Sequence, residues 1–223
     1  MFILSQWSIF KAMKIGTRQI DHIVYCVHDL AAAVEQFSTE YGITPVIGGQ
    51  HLHQGTHNAL INLGGECYLE ILAIDVSNKG VTGDRWMGID HLSQPKITRW
   101  SLRSNNLSKD IKAIEKVKPE LGSISVGQRR TPAGSLLKWN MSLPLSNPEV
   151  ELLPFLLDWS ESDIHPTDGL EQNCELVSME LQHPTPERLT KCYAELGIGI
   201  EVQQAETPVI RATFKGPRGE FVL

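Results

Sequence analysis

Ile20-Asp21-His22-Ile23-Val24-Tyr25-Cys26-Val27-His28-Asp29-Leu30 reads as a strand that runs straight into a helix. Ile23, Tyr25 and Val27 alternate with His22, Val24 and Cys26, the period of two that a strand imposes. Asp29 is placed as an N-cap; Leu30, Val34, Phe37 and Tyr41 follow at helical spacing, and Gly42 sits where a helix stops. Further along, Glu66-Cys67-Tyr68-Leu69-Glu70-Ile71-Leu72 reads as a second strand with a glutamate amid apolar residues. A carboxylate in such a strand is costly to bury unless it is paired or bound to metal. Taken alone, His22 suits a hydrogen-bonded core position as well as a ligand position, and Glu70 suits an arginine partner equally well. Together, at the two ends of one strand–helix–three-strand unit, they read as half of a metal site.

Between these strands lie two further signatures. The four segments Asp21-His22, Gly48-Gly49-Gln50-His51, Gly55-Thr56-His57-Asn58 and Tyr68-Leu69-Glu70 resemble the Asp-His, Gly-Gly-x-His, Gly-Thr-x-Asn and Tyr-Leu-Glu motifs of the glyoxalase-like domain family. That family is a branch of the vicinal oxygen chelate superfamily, with the glyoxalases, extradiol dioxygenases and bleomycin-resistance proteins. The resemblance is specific over residues 20–75 and weaker, but continuous, to about residue 200. It implies an α+β fold of tandem βαβββ modules, two of them paired around a cavity. Each module of the superfamily gives one metal ligand from its first strand and one from its fourth, and His22 and Glu70 occupy those positions.

Composition is that of an ordinary globular chain, 223 residues with 41% hydrophobic and 21% charged residues. A net charge of −6 argues against nucleic-acid and anionic-membrane partners, which favour basic surfaces. No apolar run approaches a membrane span. Cys26, Cys67, Cys174 and Cys192 are widely spaced without a CxxC pair, which points to free thiols in a cytoplasmic protein rather than a zinc or disulfide framework. The apolar opening, residues 1–14, lacks the charged start of a signal peptide and is expected to be peripheral, packing as a short helix.

The first module is expected over residues 20–75, after an extension over 1–19, with strands near 43–48, 55–63 and 66–74. His51, His53 and His57 form a histidine cluster in it, read either as ligands or as the polar lining of a pocket. After a connecting segment, 76–96, the pattern repeats over 97–160. Asn106 stands where Asp29 stood, and Leu107, Ile111 and Ile114 mirror Leu30, Val34 and Phe37. By that offset Arg99 replaces His22; arginine binds no metal but holds a carboxylate or phosphate bidentately. Glu151, or alternatively Asp158, is the acidic counterpart of Glu70 in an expected last strand near 149–158, and a solvent-facing edge glutamate is the competing reading. The Arg129-Arg130-Thr131-Pro132-Ala133-Gly134 hairpin, followed by Trp139, lines an anion site or is simply solvated. A linker at 161–173 leads to a third repeat over 174–223, with Thr185 as helix cap, Val177 at the position of His22, and no glutamate at the position of Glu70.

These residues lead to one expectation and one rival. The expectation is a divalent-metal-dependent lyase, isomerase or dioxygenase for a small oxygenated, carboxylate-bearing molecule. His22 and Glu70 are its metal ligands, with Zn, Mn, Fe(II), Ni or Mg equally suited. Glu70 and Glu151 move the proton, and Arg99, His51, His57, Asn58, Arg130 and Trp139 bind substrate, in a monomer or homodimer. The rival is a metal-free module that binds a small molecule or drug without catalysis. No phosphate-binding glycine loop, nucleophile elbow or HExxH is present.

Overall fold

The computed structural model of the chain describes residues 14–130, 134 and 136–223. The expected N-terminal helix and the Thr131–Ala133 turn therefore lie outside the described residues, as do the side chains of Arg129 and Arg130. A short strand β1 (Lys14–Ile15) precedes the first unit, which runs β2 (Arg18–Cys26), α1 (Leu30–Gln36), β3 (Val46–His51), β4 (Thr56–Gly64) and β5 (Cys67–Ile74). The second unit runs β6 (Lys96–Arg103), α2 (Leu107–Glu115), β7 (Ile124–Arg130), β8 (Leu136–Ser142) and β9 (Phe155–Asp158). The third runs β10 (Glu175–His183), α3 (Glu187–Leu196), β11 (Val202–Gln204), β12 (Val209–Gly216) and β13 (Gly219–Val222). This is the α+β, strand–helix–three-strand pattern read from the sequence.

Local chemistry sets the helix ends. The Asp29 carboxylate accepts hydrogen bonds from the N–H groups of Ala31 and Ala32 at 2.8 and 3.1 Å. α1 loosens into a π turn, Phe37–Tyr41, and stops at Gly42 with φ +71°. Asn106 caps α2 through the N–H of Lys109. At α3 the expected cap moves by one residue: Pro186 holds the N-cap place, and the Thr185 N–H donates instead to His183 Nδ1.

The strands form one continuous sheet. Its main path is β3-β4-β5-β2-β6-β9-β8-β7, with the two opening strands β2 and β6 antiparallel at its centre. The C-terminal half of β6 pairs with β9, whereas Ile97 near its start pairs with Ile210 of β12, so the third unit attaches through one point of β6. The outermost strands β3 and β7 curl into contact. β2 and β5 are buried on both faces. Ile23, Ile71 and Trp100 face the helices, while Val24, Cys26, Leu72, Met141 and Phe155 fill the concave side.

The stretch expected as a strand from residue 149 forms one only from Phe155. Upstream, its carbonyls are bound by side chains: Leu152 O accepts from Trp100 Nε1 and Tyr193 Oη, both at 2.7 Å. Pro154 supplies no N–H for a ladder.

All four cysteines are free and buried. Burial pushes the thiols of Cys26, Cys174 and Cys192 up to about 12, and that of Cys67 higher still. A disulfide-exchange reagent at neutral pH is therefore expected to label none of them in the native protein and all of them in guanidinium, because the thiolate is the reactive species. Rapid labelling of any one before unfolding would contradict this burial.

Candidate active site

Two β-bulges shape the centre of the sheet. Between Ile20 and His22 the β2–β6 register slips by one residue at Asp21, and between Val24 and Tyr25 it slips by one at Thr98. The first slip turns the Asp21 side chain towards its neighbour His22, a typical use of a bulge beside a site. Asp21 Oδ1 lies 2.8 Å from His22 Nδ1. Its other oxygen accepts from Trp159 Nε1 at 2.8 Å and from Arg103 Nη2 at 3.2 Å, and His165 Nε2 stands 3.8 Å away. Burial pushes the Asp21 carboxyl up. The His165 and His22 imidazoles beside it outweigh burial and hold the group well below the usual carboxylate range.

The carboxylate at Nδ1 leaves Nε2 of His22 facing Glu70, whose Oε2 is 3.6 Å away. His22 is clamped in plane by Tyr68, stacked at 4.5 Å, and edge-on by Phe155 at 5.1 Å. Glu70 Oε1 accepts from Asn58 Nδ2 at 2.6 Å, and His51 Nε2 lies 3.9 Å from the same oxygen. The Asn58 amide is oriented by its other end, since Oδ1 accepts from the N–H of Gly49 at 3.0 Å. Gly48 is required here: a Cβ on it would meet Asn58 Oδ1 at 2.3 Å. Thr56 Oγ1 accepts from Trp86 Nε1 at 3.1 Å and lies 3.0 Å from His51 Nδ1. All four motif segments thus converge on one polar floor.

That floor closes a small inner chamber of about 40 Å³, walled by Trp86, Met87, Trp139, Phe155 and Trp159. An outer cleft of about 750 Å³ lies between the 50–54 turn and β7 and β8, and it shares His51, Trp86, Trp139 and Met141 with the chamber. On β6, directly across from His22, the buried Ser101 Oγ has no hydrogen-bond partner among the described residues.

Four residues singled out by sequence do not join the floor. Arg99 is buried, and its guanidinium donates to the carbonyls of Thr98, Glu149, Leu145 and Pro148 at 2.6–3.0 Å, so it anchors a loop and clamps no ligand. Glu151 accepts from Lys118 Nζ at 2.6 Å and from the N–H of Leu153 at 2.9 Å, outside the chamber. Its place as counterpart of Glu70 belongs to Phe155: Glu70 pairs with Val24 of β2, and Phe155 pairs with Ser101, the equivalent residue of β6. Asp158, the other acidic candidate, accepts from the N–H of Ser160. His57 alternates with Thr56 and Asn58 on β4 and so points to the opposite face. The Arg130 side chain lies outside the described residues. Trp139 lines both chambers. Asp21, Thr56, Trp86, Arg103, Trp159 and His165 were not singled out by the sequence for the site, although Asp21 is an acid in an apolar strand and satisfies the criterion that selected Glu70.

A family model for the glyoxalase-like domain matches residues 20–197, most of the chain. The chain belongs to the glyoxalase-like domain family. No curated protein matches it. Among solved structures, a hypothetical protein from Staphylococcus aureus shares the fold, with TM-score 0.60, 16% identity, and coverage of 85% of this chain and 87% of that chain. Looser likenesses extend to methylmalonyl-CoA epimerases. The one from Streptomyces coelicolor has TM-score 0.40 and 19% identity over 66% of this chain and 97% of that chain. The one from Mycobacterium tuberculosis has TM-score 0.36 and 20% identity over 67% and 92%.

A divalent ion requires nitrogen or oxygen donors with free lone pairs. His22 matches a metal-ligating histidine, with one ring nitrogen fixed by a carboxylate and the other presented to a second ligand. Glu70 supplies the oxygen donor. Among the described residues, no group of three or more His, Cys, Asp or Glu side chains stands close enough to hold an ion as a complete set. The described residues thus present one nitrogen and one oxygen donor to a shared space and no complete ligand set. His51 Nε2, 3.9 Å from Glu70 Oε1, is a second nitrogen beside it. Among the described residues no helix is long and apolar enough to cross a membrane.

Proposed function

We propose that this glyoxalase-like protein is a divalent-metal-dependent enzyme of the lyase, isomerase or dioxygenase type, acting on an oxygenated organic molecule. The observation that carries this reading is the buried His22–Glu70 pair, with Nε2 and Oε2 facing each other at 3.6 Å over a chamber floor. With Nδ1 protonated towards Asp21, both facing atoms are lone-pair donors, and such a pair invites a cation between them. A divalent ion held there would supply Lewis acidity to a carbonyl oxygen. His22 and Glu70 would hold it. Asp21 keeps the proton on His22 Nδ1, so Nε2 remains a donor. Asn58 fixes the Glu70 carboxylate through Oε1. With Glu151 engaged by Lys118, proton transfer falls to Glu70 and His51, which flank the same space. Trp86, Phe155 and Trp159 exclude water and strengthen each polar contact at the floor.

A second reading, sequestration of a small molecule without catalysis, draws support from the aromatic walls contributed by Trp86, Trp139 and Trp159. Metal content separates the two. Protein purified without a histidine tag is expected to take up about one equivalent of Mn, Fe(II), Ni or Zn, and His22→Ala and Glu70→Ala are each expected to lose it while keeping a native circular dichroism spectrum. Absence of uptake in the wild type after supplementation with each ion removes the metalloenzyme reading and leaves the binding protein.

A further inference from the structure

The relative sizes of the two chambers carry information that the metal-ligand pair does not. The inner chamber, about 40 Å³, has room for little more than one or two waters, or a head group of a few heavy atoms. The outer cleft, about 750 Å³, falls in the range that holds a whole metabolite-sized ligand. A two- or three-carbon molecule would occupy the first and leave the second unused.

The wall between them is specifically built. Gly127 lies opposite Trp139 in the β7–β8 ladder. A Cβ on Gly127 would meet the Trp139 ring at 2.1–2.5 Å, so the indole lies across the glycine backbone. Trp139 Nε1 is directed to the Met141 sulfur at 3.1 Å, which fixes the rotation of the ring, and Trp159 packs on it at 5.6 Å. The same indole borders the outer cleft together with Val126 and Leu143. It is a flat apolar platform that borders both the polar chamber and the cleft.

We infer that this site takes a two-part ligand: a compact oxygenated head, seated at His22 and Glu70, joined to a planar apolar body lying on Trp139 in the outer cleft. The inference rests on the reading of His22 and Glu70 as the oxygen-binding end, and it adds the body that the ligand must carry. Trp139 and Gly127 are then specificity residues for that body. An aromatic ring stacked on an indole and desolvated on one face gains affinity in proportion to the area it buries.

The test is calorimetric titration of the full chain with hydroxyacetone, phenyl hydroxymethyl ketone and naphthyl hydroxymethyl ketone, in the presence of Mn and again with EDTA. The head is constant in this series and the body grows. Affinity is expected to rise at least about tenfold from hydroxyacetone to the naphthyl ketone. Trp139→Ala is expected to remove most of that gain. Gly127→Ala, which drives a methyl group into the space of the indole, is expected to do the same without touching the floor. Equal affinity across the series in the wild type overturns the proposal without reference to any variant. A gain retained in both variants, with native circular dichroism, overturns the role of Trp139. A gain present in EDTA from a protein that takes up no metal upholds the two-part ligand while the metalloenzyme reading fails. Metal uptake with indifference to the ring does the reverse.

Discussion

Asp21→Ala is expected to cost about 3–5 kcal/mol of stability, read as a fall in the urea midpoint at neutral pH with an unchanged slope. Asp21 is fully buried, and its two oxygens receive His22, Trp159 and Arg103. Without it, Arg103 Nη2 and His165 Nε2, 2.8 Å apart, face each other with no carboxylate between them. Arg103 keeps Glu66 as a partner, and its side chain is 19% exposed, which places the expected loss towards the lower end of the range. Asp21→Asn keeps the shape, removes the charge and turns an N–H group towards donors.

The pH dependence of that difference has a definite sign. The folded carboxyl is a stronger acid than the unfolded one, whose ordinary value is about 3.9. Its contribution is therefore fully present above that value and is lost as pH falls below it towards the depressed folded value. The stability gap between wild type and Asp21→Asn should stay level from pH 7 to about pH 5 and narrow below about pH 4. A gap that widens on acidification would show that Asp21 is not the anion holding this cluster.

The second large effect is expected at Arg99. Arg99→Met removes four charge-assisted hydrogen bonds and leaves the carbonyls of Leu145, Pro148 and Glu149 without that donor. Burial draws the guanidinium down to about 10, so it is still a cation at neutral pH. Bonds to charged groups contribute about 1.5–3 kcal/mol each and do not add, which gives an expected total of about 3–5 kcal/mol. Proteolytic nicking within residues 145–149 should accompany it, because these bonds pin that loop to β6. Arg99→Lys rescues little, since an ammonium cannot reproduce the planar fork. Metal uptake by the folded fraction should be unchanged. Lost uptake at native stability would restore Arg99 to the site.

The comparison of Arg99 with His22 shows how far the sequence can be read. The constant offset between the first two units correctly sets Asn106 against Asp29 and Arg99 against His22, because caps and apolar periodicity are local. What each side chain does there is not local. Arg99 is claimed by a loop some fifty residues downstream, and nothing in the β6 sequence announces those carbonyls. Glu151 failed for a related reason: Pro154 obscures where β9 begins, and the register that equates Phe155 with Glu70 is visible only once β9 is paired with β6. The floor itself was legible, because Gly48, Asn58 and Glu70 all lie in contiguous hairpins of one unit. The wall was not, because Trp159 and His165 reach Asp21 from distant positions in the chain.

The start of β2 has a consequence for the order of folding. Thr17 donates its N–H to Gly197 O, 180 residues away, and a Cβ on Gly16 would meet that same carbonyl at 2.5 Å. Arg18 adds a bond to Leu196 O. The strand that carries His22 is thus clamped at its beginning by the end of α3, a contact whose closure entropy is among the largest the chain has to overcome. On the ribosome, β2 can pair with β5 and β6 well before α3 has been made. The interval until residue 197 emerges is one in which the strand bearing His22 is paired but not yet anchored, and its length is set by translation rather than by chemistry.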